Sequence, residues 1–212
     1  MNQQTIFDFT LKQNYGNDDF FVSKTNSLVH KVLLNSTNPE KYIYLKGPSK
    51  SGKTHIGQLW QKINYAILFN NNDYDIIIDQ KKNVFIDNFT SELDEEKLFH
   101  LINHCYNNNL KILVTSELSS LEYQFKVADL SSRLRSFHFI EIYDPDDELI
   151  NNLLIKLLND RQIMINNDEI FSFITKRINR TYLDIYNFVD RIDKLSLSKK
   201  RQITIPLIKE LM

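Results

Sequence analysis

The chain has 212 residues, 42% hydrophobic and 25% charged, with a formal net charge of -1. Such a chain can bury a good core, enough for one sizeable domain and a small one, and its charge excludes a general attraction to nucleic acid or anionic membrane. A single cysteine, Cys105, excludes an internal disulfide, no Cys or His grouping has zinc-site spacing, and no apolar run approaches the roughly 18 residues that span a bilayer. A reducing cytoplasm, without membrane attachment, is the expectation.

Residues 1–19 are polar with one apolar island, Ile6-Phe7-Asp8-Phe9, and read as a tail. From Phe20 the pattern alternates. A helix around Thr25–Leu34 precedes a strand at 42–45, whose β-branched and aromatic residues are followed by Gly47-Pro48-Ser49-Lys50-Ser51-Gly52-Lys53-Thr54. That octapeptide fits the phosphate-binding pattern G-x-x-x-x-G-K-[ST] at every fixed position. Only four glycines occur in the chain and two of them are here, so the match is not a by-product of glycine abundance. The glycines let backbone N–H groups turn toward phosphates, and the next helix, carrying Ile56, Leu59, Trp60 and Ile63 at helical spacing, adds its positive end. Lys53 would reach the β- and γ-phosphates and the Thr54 hydroxyl would hold Mg²⁺.

A strand at 65–69 and an Asn-rich loop at 70–72 come next, then a buried strand at 84–87, a helix at 92–106, a strand at 111–115, a short helix at 127–134 and a strand at 137–142. Strands alternating with helices predict an α/β core over 20–143, with a parallel sheet covered on both faces. At Asp144-Pro145 the character changes: Asp is suited to cap a helix and Pro to open one. Only helical patterns follow, at 146–160, 167–177 and 181–195, with a short element around 206–211, so 144–212 reads as a small all-helical domain.

Asp87 ends its strand some thirty residues after the phosphate loop, where a carboxylate can hold the water shell of Mg²⁺. The next residue is Asn88, an amide that cannot accept a proton from an attacking water, so slow or absent hydrolysis is expected. Thr115 and Ser116 end the following strand and are either hydroxyls aimed at a γ-phosphate or an ordinary turn. Arg133, just before the last strand, is either a surface arginine or one that reaches nucleotide on a neighbouring molecule. Arg180, opening the third helix of the small domain, either closes over phosphates or is a charged residue in a connecting loop.

The ordered set of Phe21-Val22-Ser23-Lys24-Thr25-Asn26, Gly47 to His55, Asp87-Asn88, Thr115-Ser116, Ser132-Arg133-Leu134 and Arg180 resembles the AAA+ core of the DnaA initiator family, and most closely its short Hda-type relatives. Arg191-Ile192-Asp193 and Lys200-Arg201-Gln202-Ile203-Thr204-Ile205-Pro206-Leu207 are similar to the end of that family's helical lid. The resemblance implies an AAA+ P-loop NTPase fold. It implies ADP or ATP with Mg²⁺ held by Gly47, Pro48, Ser49, Lys50, Ser51, Gly52, Lys53, Thr54, His55 and Asp87, with Thr115 or Ser116 as the first sensor, Arg180 as the second and Arg133 as an arginine finger acting in trans. It also implies that Gln4, Phe7 and Phe9 form a short motif for the β subunit sliding clamp of DNA polymerase III. The implied role is a regulator that, with the DNA-loaded clamp, promotes hydrolysis of ATP bound to DnaA; contact with DNA would be indirect and a homodimer is compatible. Because the sequence stops at Met212, directly after the lid, a full initiator is not expected. A helicase-loader ATPase and a module whose nucleotide only stabilises its fold remain alternatives.

Overall fold

The computed structural model describes residues 20–35, 38–70, 74–90, 92–163, 165 and 168–211. Gln4, Phe7 and Phe9 therefore lie outside the described residues. Five strands, β1 (Tyr42–Lys46), β2 (Ile67–Leu68), β3 (Val84–Phe89), β4 (Ile112–Ser116) and β5 (His138–Glu141), form one sheet in the order β2-β3-β4-β1-β5, with every pairing parallel. The expected α/β class holds.

Strand alternation builds two apolar layers. Ile43 and Leu45 of β1, Phe85 of β3 and Leu113 of β4 pack against Val29 and Leu33 of α1 (Ser27–Leu34) and Ile56 and Trp60 of α2 (Lys53–Asn64). Tyr44, Val84, Ile86, Ile112 and Val114 face the other way, against Ile77 of α3 (Tyr74–Gln80), Leu98, Leu101 and Ile102 of α4 (Glu95–Asn107), and Leu130 and Leu134 of α5 (Ala128–Arg135).

Two elements depart from expectation. The strand expected at 65–69 is only two residues long, because α2 closes at Tyr65 in the left-handed region (φ 50°), whose N–H returns to the Gln61 and Lys62 carbonyls. Helix α3 was not expected; Tyr74, Ile77 and Ile78 at helical spacing seat it against the α4 layer.

The C-terminal segment forms α6 (Asp147–Asp160), α7 (Asp168–Thr175), α8 (Tyr182–Lys199) and α9 (Ile205–Lys209). These helices pack around a core of their own that includes Ile150, Leu154, Leu158, Ile185, Val189 and Leu207. The cap of α6 is Asp146 rather than Asp144, since the Asp146 carboxylate accepts the Leu149 N–H at 2.8 Å.

Candidate functional site

Lys46 ends β1, and the chain then turns through Gly47–Gly52 into α2, at the C-terminal edge of the sheet. Gly52 caps α2 at φ 89°, a conformation that favours glycine, and Phe20 lies against it closely enough that an added Cβ would sit 3.3 Å from the ring. The Lys53 ammonium is buried and donates to the Gly47 and Pro48 carbonyls, both at 2.8 Å. Burial holds its pKa below the usual lysine value, with Glu117 and then Asp87 opposing part of that shift. Ser51 Oγ is buried inside the loop without a hydrogen-bond partner among the described residues. A buried cation resting on loop carbonyls and an unpaired buried hydroxyl at a helix N-terminus suit an anion with several oxygen acceptors.

Asp87 is fixed from two sides. Thr54 donates its hydroxyl to Oδ2 at 2.8 Å and Thr115 donates to Oδ1 at 2.6 Å. Asn88 stands at a bulge in the β3–β4 pairing, in the left-handed region (φ 50°), and its N–H donates to Thr115 Oγ1 at 2.9 Å. The Thr54 hydroxyl and Asp87 carboxylate thus form an oxygen pair beside the loop, a donor set that fits a hydrated Mg²⁺. Thr115 orients Asp87 and is itself fully buried. Ser116 is fully buried too, and its hydroxyl donates to the Phe89 carbonyl at 3.2 Å. The residue of this strand end that lines the cleft is Glu117, its carboxylate 4.0 Å from Lys53 Nζ and 51% exposed.

The cleft itself measures about 340 Å³ and lies between the phosphate loop and the C-terminal helices. Ser49 to His55 and Asn88 form one wall. Leu149, Leu153, Lys156, Leu157 and Asp160 of α6, with Tyr182 and Tyr186 of α8, form another; the aromatic pair Phe20 and Phe21, with buried Asn26, closes one end. Asn26 is locked there, donating to the Phe21 carbonyl at 2.8 Å and accepting the Ser23 N–H at 2.8 Å. Burial pushes the Tyr182 phenol up to about 12, and its hydroxyl donates to the Tyr143 carbonyl at 3.1 Å. Lys50 Nζ sits 5.8 Å above the Tyr186 ring, joining loop to α8.

Arg180 and Arg133 are not brought to this cleft. Arg180 is exposed and pairs with Asp147 at 2.9 Å, both residues lying on the outside of the helical segment. Arg133 is exposed near the end of α5, two residues before the chain turns toward β5. The pairing Ile43↔His138 puts the start of β5 level with the start of β1, so Arg133 is near the N-terminal edge of the sheet and the phosphate loop is at the opposite edge. Strands rise about 3.3 Å per residue, so the two edges are roughly 15 Å apart.

A family model described as Hda, lid domain, matches residues 147–212. The chromosomal replication initiator DnaA of Buchnera aphidicola subsp. Baizongia pistaciae is 27% identical over 94% of this chain, which spans 50% of that initiator's length. An uncharacterized protein of Haemophilus influenzae is 24% identical, over 98% of this chain and 94% of its own. Domain III of Thermotoga maritima DnaA matches the fold with a TM-score of 0.76 at 15% identity, covering 95% of this chain and 97% of that one. The chain has the AAA+ fold and is similar to Hda and DnaA. AMPPCP-bound DnaA from Aquifex aeolicus shares the same fold, with a TM-score of 0.67 at 17% identity over 88% of this chain and 67% of that one.

Within this AAA+ fold, sequence reasoning singled out Asn88 and quoted Phe21 and Asn26 in the segment that carries the resemblance without giving those two a site role, and it missed Phe20, Glu117 and the face of α6 and α8. One signal was available, since Leu149, Leu153, Lys156 and Asp160 recur at helical spacing on α6 and so share a face. Nothing in that spacing says what the face meets.

Proposed function

We propose that this chain is a cytoplasmic regulator of replication initiation that binds ADP or ATP in the cleft and presents Arg133 to ATP held by DnaA. The observation that carries this reading is the separation of the two ends of the sheet. Arg133 is exposed near the edge of the sheet opposite its own phosphate loop, which supports a role toward phosphate held by another molecule. Asn88 supports the same division of labour, because the position after Asp87 offers an amide where a water-activating base is wanted.

In this proposal Lys53, the loop N–H groups and the helix end bind the phosphates, and Thr54 with Asp87 takes the Mg²⁺. Thr115 serves as a sensor through its bond to Asp87, with Ser116 behind it; Arg180 acts as a second sensor only on leaving Asp147. Gln4, Phe7 and Phe9 dock on the sliding clamp, which brings the protein to DNA without direct DNA contact. The phosphate-loop match, the Hda-type lid and the DnaA relatives support the reading.

The deciding experiment follows ATP loss from ATP-loaded DnaA in the presence of clamp-loaded DNA and this protein. Wild type should accelerate loss, and Arg133→Ala should reduce that acceleration by about 10³-fold or more, the scale of an arginine finger. Equal acceleration by the variant removes Arg133 from the reaction.

A further inference from the structure

Arg133 does not stand alone at its edge of the sheet. Its guanidinium lies over the ring of Tyr106, 4.9 Å from the ring centre, near the end of α4. The same ring stacks on Tyr42, the first residue of β1, with centres 3.9 Å apart and planes 23° apart. Tyr42 in turn lies against Phe137 at 5.8 Å. A second link closes the group: the Ser136 hydroxyl donates to the Arg133 carbonyl at 2.6 Å, which leaves its oxygen to accept from the Tyr106 phenol at 3.0 Å. One side chain therefore contacts the head of Arg133 directly and its backbone through Ser136, and is anchored to β1, an interior strand of the sheet.

A guanidinium lying over a ring is held by the attraction of its charge for the ring face and not by its N–H hydrogen bonds. The contact thus restricts the arginine without consuming the donors that an anionic phosphate chain needs. We infer that Tyr106 is a positioning residue for Arg133, holding it ready for a nucleoside triphosphate bound by a partner molecule. This rests on the trans-acting role of Arg133 proposed above. The ring lowers the entropic cost of aligning a long exposed side chain with the charge that develops on the phosphates during reaction, and the Ser136 link ties the end of α5 to α4.

The test uses the full chain in the clamp-loaded DNA and ATP-DnaA assay, read as maximal rate and as the concentration giving half of it. Tyr106→Leu keeps apolar bulk at a half-buried position but removes the ring; it should lower the maximal rate about 5- to 20-fold, with the half-effect concentration unchanged within about twofold. Tyr106→Phe keeps the ring and should retain at least about a third of the wild-type rate. Arg133→Ala added to Tyr106→Leu should cost less than it does in wild type, a coupling that a purely structural tyrosine would not produce. If Arg133→Ala alone is fully active, the trans-acting role fails and this inference falls with it. If Arg133→Ala is inactive but Tyr106→Leu keeps or exceeds the wild-type maximal rate, or the two losses simply multiply, the positioning role alone is overturned.

Discussion

Lys53 is where stability and binding oppose each other most directly. Its ammonium is buried on two carbonyls of its own loop, with Glu117 the nearest carboxylate at 4.0 Å, so the charge is solvated by dipoles and only weakly by an opposite charge. Burial keeps its pKa below 10.5, so at neutral pH the folded state carries the full cost of the buried charge. Between the lowered value and 10.5 the unfolded chain holds more protons than the folded one, and stability gains with rising pH there. Lys53→Met should therefore bind magnesium nucleotide about 100-fold more weakly, as the loss of charge-assisted contacts of about 1.5–3 kcal/mol each implies. Yet it should need no less urea to unfold than wild type at about pH 7, with any advantage shrinking toward about pH 10. Nucleotide titration and urea melts at the two pH values check both parts; a clear loss of apo stability at neutral pH would show that the carbonyl contacts outweigh the buried charge.

Between residue and whole stands the contact of α2 with the sheet, which sets where the phosphate loop points. A Cβ on Gly57 would lie 2.2 Å from Cζ of the fully buried Phe85 in β3, so the helix approaches the strand as closely as a glycine allows. Gly57→Ala gains about 1 kcal/mol of helix propensity but overpacks a site where such changes cost about 1–3 kcal/mol or more. With an overlap this deep the steric cost wins, and urea unfolding should show a net loss of about 1–2 kcal/mol that Phe85→Leu in the same chain partly restores. A variant as stable as wild type would mean that the helix can lift without penalty. Elements of this kind were legible to the degree that their signals are local. The strand, loop and helix at 42–64 could be read because the motif dictates backbone shape residue by residue, and the parallel sheet followed from the order of strands and helices. Helix α3 was missed because seven residues behind an Asn-rich stretch of sequence give too little periodicity to stand out. Thr115 was visible as a strand end, but its bond to Asp87 depends on the bulge at Asn88, and the Arg180–Asp147 pair depends on how α6 and α8 meet. The α6 and α8 side of the cleft was hidden for the same reason: a helix face records that something covers it, not what.

At the scale of the molecule, the helical segment is joined to the sheet by a narrow seam. Most of its apolar side chains pack among themselves, while Leu149 and Tyr182 are buried in the layer formed by α1, α2 and the sheet. The Tyr182 hydroxyl bonds the Tyr143 carbonyl, whose own N–H reaches the Thr25 carbonyl at 3.5 Å, so α8, the exit of β5 and the segment before α1 meet at one point. That point adjoins the cleft, which Tyr182 also lines. A nucleotide in the cleft would touch both sides and add a second fastening to the first. Removing the seam should therefore loosen the helical segment in the free protein and leave the ligand more to do. Tyr182→Phe, which keeps the ring, should cost only about 1 kcal/mol for its hydrogen bond, whereas Tyr182→Ala should cost about 3–5 kcal/mol and broaden or split the calorimetric transition as the segment melts ahead of the sheet. Magnesium nucleotide at about a hundred times its Kd should stabilise wild type by about 2.7 kcal/mol, a rise in Tm of roughly 5–10 °C for a chain of this size. In Tyr182→Ala the same nucleotide should bind more weakly, because closing the loosened segment costs part of the binding energy, but should merge the transition back toward one. A single sharp transition in Tyr182→Ala without nucleotide would show that the helical segment is held by contacts other than this seam.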